Sequence, residues 1–234
     1  MTHRALLMIR PEKPARDFVQ ALEAAFGKPL NAFYSPLIRI DPLPSDFSLK
    51  GITLLLFTSV NGVEQYARKT TNRDIPALCV GKTTQKAAIV IGLQAKHANG
   101  TAQNLLDSAR KGCDFQLEKE LYVSGAEVAF DLVSALHSGG IRASQAALYR
   151  QTALPLCAKA LALLSENPVI VPVFSANSAK MLLNTLKETR PTDLEVLCIS
   201  PNVAKLFAGT IVSKIHTACK PSREGMINAL SELM

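Results

Sequence analysis

The stretch Ile52-Thr53-Leu54-Leu55-Leu56-Phe57-Thr58-Ser59-Val60-Asn61 decides the fold. Its first six residues form a short, nearly continuous apolar run, the pattern of a strand covered on both faces. The run ends at Thr58-Ser59, and small hydroxyl residues at such a point cap the helix that follows. The same grammar recurs in Val80-Gly81-Lys82-Thr83-Thr84, Val123-Ser124-Gly125-Ala126-Glu127, Phe174-Ser175-Ala176-Asn177-Ser178 and Ile199-Ser200-Pro201-Asn202. Apolar runs at 5–9, 52–57, 77–80, 121–123, 147–149, 169–174 and 196–199 read as strands. Between them lie helix patterns, from Asp17 to Phe26 before Gly27 and from Ala129 to His137 before Gly139-Gly140. Both stop at glycine, the residue that best adopts the left-handed C-terminal cap. Alternating strands and helices predict an α/β fold with mostly parallel sheets.

Working outward, the stretch has a second copy. Phe57-Thr58-Ser59-Val60-Asn61 matches Phe174-Ser175-Ala176-Asn177-Ser178, and Leu78-Cys79-Val80-Gly81 matches Leu197-Cys198-Ile199-Ser200. Each of those cysteines is followed 18 residues later by a histidine, His97 or His216, and a helix segment at Asp17 is echoed 114 positions later at Asp131. Four matches in one order indicate a duplication. Prolines break the pattern at 35–44, and Gln151-Thr152-Ala153-Leu154-Pro155 is a second, shorter break. Proline disfavours helix and central strand, so both read as extended crossings or edge strands. The block between them reads as a domain inserted into another.

The chain has 234 residues, 48% hydrophobic and 19% charged, with 12 Gly and 13 Pro. That excludes disordered, collagenous and coiled-coil chains. The net charge is +7 and the pI near 9.2. The excess lies in residues 1–117, with 15 basic and 9 acidic side chains. This is either a solvated, slightly basic surface or a mild positive field that favours an anionic ligand. No run of five like charges and no Trp is present, which speaks against a nucleic-acid partner. Cys79, Cys113, Cys157, Cys198 and Cys219 are odd in number, and none are spaced as CxxC. They read mostly as buried reduced thiols, with no zinc site and a cytoplasmic setting. The apolar stretch 5–9 is too short for a signal-peptide core, and no run is long enough to span a membrane.

In a parallel sheet the carboxyl-end turns line the ligand crevice, and the free N–H groups of the following helices favour anions. Capping alone explains any single turn; five of them with a positive charge point to a ligand bearing several anionic groups. Gly81-Lys82-Thr83 lacks the upstream glycine of a phosphate loop, because position 76 is Pro. His3, His97, His137 and His216 are scattered, so neither a metal cluster nor a histidine triad is indicated. Tyr149 ends a strand at the second break, and Arg10 ends the first strand. Tyr149 either packs there or presents its hydroxyl to a cleft between the domains. For Arg10 the choice is a solvated loop charge or the same cleft.

Arg10-Pro11, Phe57-Thr58-Ser59, Val80-Gly81 with Thr84, Ser124-Gly125, Leu148-Tyr149-Arg150-Gln151 and Phe174-Ser175, in that order, resemble the uroporphyrinogen-III synthase family. The resemblance implies two similar flavodoxin-like α/β domains with parallel sheets, joined by a two-stranded linker. It places a discontinuous domain at 1–37 and 152–234, an inserted domain at 40–149, and linker strands at 35–44 and 147–155. It implies cyclisation of hydroxymethylbilane to uroporphyrinogen III, with inversion of ring D, loss of water and no cofactor. The substrate's acetate and propionate groups suit the anion-binding turns.

By the same resemblance Tyr149 is the catalytic residue that helps expel the hydroxyl leaving group. Arg10, Thr58, Ser59, Asn61, Thr83, Thr84, Gly125, Ser175, Ser178 and Ser200 are the candidate substrate-binding residues, and no metal ligand is expected. The expected partners are the small-molecule substrate and, transiently, hydroxymethylbilane synthase; a monomer is expected, with no membrane. Two departures stand out. The turn after Gly125 often carries an Arg in the family, but none lies between Ala126 and Asp131. The later turn reads Ser200-Pro201-Asn202-Val203, without the family's hydroxyl at its fourth position. A non-catalytic two-domain binding protein for a small polyanionic ligand and a nucleotide- or sugar-phosphate-processing enzyme remain as other readings of the residues.

Overall fold

A computed structural model describes residues 4–98, 100–112, 119–128 and 130–234. His3, Cys113 and the first residue of the second helix pattern, Ala129, lie outside the described residues. The first half of the chain forms β1 (Ala5–Met8), α1 (Glu12–Phe26), β2 (Ala32–Tyr34), β3 (Ile38–Pro42), β4 (Leu54–Phe57), α2 (Val60–Lys69), β5 (Ala77–Cys79), α3 (Lys82–Val90), β6 (Ala95–His97) and α4 (Ala102–Gly112). The second half forms β7 (Lys119–Gly125), α5 (Leu132–Ser138), β8 (Arg142–Ala153), α6 (Ala158–Glu166), β9 (Pro168–Val173), α7 (Ala176–Leu186), β10 (Asp193–Cys198), α8 (Pro201–Ala204), β11 (Lys214–Thr217) and α9 (Arg223–Leu233). Each half therefore runs β-α-β and then β-α-β-α-β-α, differing only in what joins the two parts: β3 in the first, α6 in the second.

The chain divides into two compact units, Met1–Arg39 with Thr152–Met234, and Ile40–Gln151. The split unit holds a sheet of order β11-β10-β9-β1-β2. All its pairs are parallel. The continuous unit holds the order β3-β8-β7-β4-β5-β6, and its pairs from β8 to β6 are parallel. Taking β1 and β7 as first strands, both sheets follow the 2-1-3-4-5 order of flavodoxin-like folds. The expected α/β class with parallel sheets is what is found. β2 and β8 are equivalent, as are β9 and β4.

Every strand read from an apolar run is present. In the continuous unit Leu55, Phe57, Leu121, Val123 and Leu148 pack with Val63 and Tyr66 of α2. On the other sheet face, Leu56 and Tyr122 meet Leu105 of α4 and Leu132 and Leu136 of α5. In the split unit Leu7, Val171 and Val196 share one core with Leu163, Leu182 and Phe207. Leu6, Met8, Ile170 and Leu197 share the opposite core with Phe18, Met226 and Leu230. Each fully buried side chain of this kind contributes about 1.5–3 kcal/mol.

Apart from β3, which falls in the proline break at 35–44 read as an extended crossing or edge strand, the strands that the apolar-run criterion misses are β2, β6 and β11. They lie at sheet edges, and none of their residues is fully buried, so they need no continuous apolar run. Gly27 ends α1 in the left-handed region, at φ 65°, as its position predicts. The second helix starts later than its pattern suggests. Asp131, not a residue before Ala129, is the N-cap of α5, and its side chain accepts from Ser134 N. The cysteine reading also needs correction. Cys79 and Cys198 are buried, but Cys157 and Cys219 are exposed. Cys157 takes the N-cap position of α6, where a side chain meets solvent. Burial pushes the Cys79 thiol up to about 11 and that of Cys198 to about 12. Among the described residues no helix is long and apolar enough to cross a membrane.

Candidate active site

In a sheet of this order the ligand crevice opens beyond the carboxyl ends of the strands, where the strand order reverses. In the continuous unit that point lies between β7 and β4. Thr58 follows β4, Gly125 ends β7, and Tyr149 lies on the neighbouring β8. The β7–β8 register shifts there: Ser124 faces Ala147, but Gly125 faces Tyr149, so β8 has one extra residue. Such a bulge re-aims the side chain beside it.

The Tyr149 ring lies against Gly125. A Cβ on Gly125 would stand 3.0 Å from Cε2, 3.1 Å from Cζ and 3.4 Å from the hydroxyl. Only glycine leaves the ring its place. Ala126 N also donates to Tyr149 O at 2.8 Å, and the Ser124 hydroxyl donates to Gly125 O at 2.9 Å while accepting from Gln145 Nε2 at 2.8 Å. Tyr149 is 6% exposed, yet among the described residues its hydroxyl makes no hydrogen bond. A cavity of about 330 Å³ opens there, lined by Gly125, Ala126, Glu127, Val128, Tyr149 and Gln151.

Tyr122 reaches the same end of the sheet from β7. It is 4% exposed, and its hydroxyl lies 2.9 Å from Thr58 Oγ1. Burial pushes its pKa above the ordinary tyrosine value; the Thr58 hydrogen bond lowers it and the nearby Tyr149 raises it further. Sequence reasoning missed Tyr122, because it sits inside the run Leu121-Tyr122-Val123. The available signal was chemical: a buried phenol needs a hydrogen-bond partner.

The other candidates of this unit are spread along the same edge. Ser59 caps α2, its side chain accepting from Asn61 N at 3.1 Å. Thr83 and Thr84 lie in the first turn of α3, Thr83 exposed and Thr84 buried. A larger cavity, about 660 Å³, is lined by Pro76, Gln94, Ala109 and others. It shares no residue with these turns, so its size does not make it the site.

The split unit has its own reversal point, between β1 and β9. Arg10 follows β1, with its guanidinium carbon 4.2 Å from the centroid of the Phe174 ring. Its Nε is buried without a hydrogen-bond partner, and among the described residues the guanidinium makes no hydrogen bond or ion pair. Desolvation holds its pKa below the usual arginine value, Arg223 lowers it further, and Asp17 opposes both. Ser175 caps α7, accepting from Ser178 N at 3.1 Å, with the two hydroxyls 3.0 Å apart. Ser200 precedes the four-residue α8 and makes no side-chain cap.

Among the described residues no histidine is drawn into either group. His216 Nε2 meets the buried Glu195 at 2.8 Å, beside Arg4 at 2.8 Å, a contact that ties β11, β10 and β1 together. Among the described residues no group of three His, Cys, Asp or Glu side chains is placed to hold a metal.

Solved structures share this fold. A uroporphyrinogen-III synthetase from Helicobacter pylori is similar at a TM-score of 0.68 and 16% identity, covering 99% of this chain and 100% of that one. A mutant uroporphyrinogen III synthase from the extremely thermophilic bacterium Thermus thermophilus is similar at 0.55 and 15% identity, covering 97% and 98%. No curated protein matches by sequence. Residues 16–228 match the family uroporphyrinogen-III synthase HemD. A match over so much of the chain, on a fold those structures share, settles the kinship: the chain belongs to the uroporphyrinogen-III synthase HemD family.

Proposed function

We propose that the hydroxyl cluster at the carboxyl edge of the six-stranded sheet is where this chain acts on its substrate, with Tyr149 as proton donor. The activity follows from the family: the chain closes hydroxymethylbilane to uroporphyrinogen III, a cofactor-independent lyase reaction of porphyrin biosynthesis. In that reaction the terminal hydroxyl takes a proton and leaves as water. The cationic carbon left behind is attacked by the ring D carbon that already carries the bridge to ring C. That bridge bond then breaks and re-forms at ring D's other α-carbon, which inverts the ring, and the proton on that carbon is lost. The cation is intrinsically reactive, so holding the ends together supplies much of the catalysis.

One observation carries the residue assignment. The Tyr149 ring packs against Gly125 beside the bulge and lines a cavity, while its hydroxyl makes no hydrogen bond among the described residues. A phenol in that setting can donate to a leaving hydroxyl, which supports the reading. On the same reading Thr58, Ser59, Asn61, Thr83, Thr84 and Gly125 contact the substrate through hydroxyls and backbone amides. Arg10, Ser175, Ser178 and Ser200 are proposed to hold its carboxylates. Arg10 is the best supported, because a half-buried cation that makes no ion pair among the described residues favours an anionic ligand.

The substrate is a small-molecule tetrapyrrole. We extend the proposal to a monomer that meets hydroxymethylbilane synthase only transiently. The test is a coupled assay from porphobilinogen and that synthase. The type III isomer is expected; type I alone, as without the added protein, overturns the activity. Tyr149→Phe is expected to lower turnover far more than stability, and equal losses assign Tyr149 to packing.

A further inference from the structure

We infer that Tyr122 is a positioning residue for the ring closure, its buried hydroxyl fixing the Thr58 hydroxyl at the strand-order reversal where Tyr149 also lies. The inference rests on the reading of that edge as the site.

Tyr122 is set among Leu56, Leu132, Leu136 and Ile141, a surrounding that phenylalanine would fill without a polar atom. Burying a phenol there stabilises nothing unless its hydroxyl is bonded. The partner is not a core group. It is the first residue beyond β4, Thr58, at 2.9 Å. The bond therefore links the packed interior to a turn at the carboxyl edge. β8, β7 and β4 are successive strands of the sheet, and each contributes to the edge: Tyr149, Tyr122 and the Thr58 that follows β4. Leu56 and Tyr122 are register partners, as are Phe57 and Val123, so the phenol points toward Thr58 along the strand direction.

Burial keeps the Tyr122 hydroxyl protonated across the physiological range. Either hydroxyl can donate to the other. When Tyr122 donates, Thr58 keeps its own proton for a substrate oxygen. When Thr58 donates, its lone pairs remain outward. Both arrangements fix the Thr58 rotamer before substrate arrives, which is the preorganisation that orienting groups supply.

The test is a double-mutant cycle in the coupled assay. Tyr122→Phe is expected to lower kcat roughly tenfold with KM within about twofold, the scale of one lost orienting hydrogen bond. Thr58→Val is expected to do the same, and the double variant to be no worse than the worse single. Thr58→Ser, which keeps the hydroxyl, is expected to recover most of the turnover lost in Thr58→Val. Wild-type kcat in Tyr122→Phe, or single losses that multiply in the double variant, overturns the inference. If Tyr122→Phe fails to fold, the Thr58→Ser and Thr58→Val pair decides: equal turnover in the two overturns it. Tyr149→Phe measured alongside tests the underlying reading separately, since full turnover there removes Tyr149 from the chemistry while the cycle still reports the Tyr122–Thr58 coupling.

Discussion

At the reversal point of the five-stranded sheet, Arg10 follows β1 and Ser175 follows β9; at that of the six-stranded sheet, Gly125 ends β7 and Thr58 follows β4. The two reversal points are equivalent, and the helices that follow β9 and β4 are capped alike, by Ser175 and Ser59. What differs is the chemistry above the strands. The split unit places a half-buried guanidinium there, stacked on Phe174 and unpaired among the described residues. The continuous unit places neutral hydroxyls there: those of Tyr122 and Thr58 are bonded to each other, and that of Tyr149 has no partner among the described residues. One strand order thus carries a cationic edge and an edge of neutral hydroxyls. The backbone supplies the place, and a few side chains decide what it does.

The largest effect that can test this contrast is on the hydroxyl edge. Tyr149→Phe is expected to lower kcat about 100-fold with little change in Tm; steady-state kinetics and calorimetry together measure it, and matching losses would erase the distinction between the edges. Arg10→Met should act on binding instead, raising KM roughly tenfold as a charge-assisted contact is lost. Its Tm should hold or rise, because removing a desolvated unpaired charge is not destabilising. A falling Tm with unchanged KM would make Arg10 a structural cation.

The helix caps should behave as a matched pair. Ser59→Ala and Ser175→Ala are each expected to cost about 1 kcal/mol by denaturant unfolding. A much larger loss of activity in one would show that its turn does more than cap. The smallest effect separates α5 from its counterpart α1. Asp131 caps α5, and its hydrogen bonds from Ser134, first to the backbone and then to the hydroxyl, hold its carboxyl below the usual range. Its folded pKa is depressed, so its contribution is present above the unfolded value, about 4, and is lost as pH falls through the folded value. Pro11 gives α1 no side-chain cap. Hydrogen exchange in acid should therefore rise at the start of α5 and not at that of α1, and Asp131→Asn should remove the difference.

Much of the fold was legible because both sheets are covered on both faces, which forces their inner strands into apolar runs such as 52–57 and 169–174. Edge strands such as β11 have no such requirement, and only pairing partners distant in sequence reveal them. The α5 start was misplaced because Phe130 extends the helical pattern, although it is 37% exposed and precedes the cap. The site was legible as a set of turns, but its connections were not. The Thr58–Tyr122 bond spans 64 residues, and Arg10 is influenced by Arg223 from the far end of the chain. Neither link leaves a local pattern.

The crossed assembly of the halves has a consequence for how the protein is made. The six-stranded sheet takes β3 to β8 from one uninterrupted segment, so all of its strands have been synthesised by residue 153. β1 and β2, complete by Tyr34, pair with nothing beyond each other until β9 begins at Pro168. At about 5–20 residues per second that is a delay on the order of 7–27 s. Through it Leu6, Leu7 and Met8, fully buried in the finished molecule, remain without their neighbour on the growing chain. The amino-terminal strand is the first written and among the last to be housed, and the interval before β9 emerges is when a nascent chain of this design most needs a chaperone.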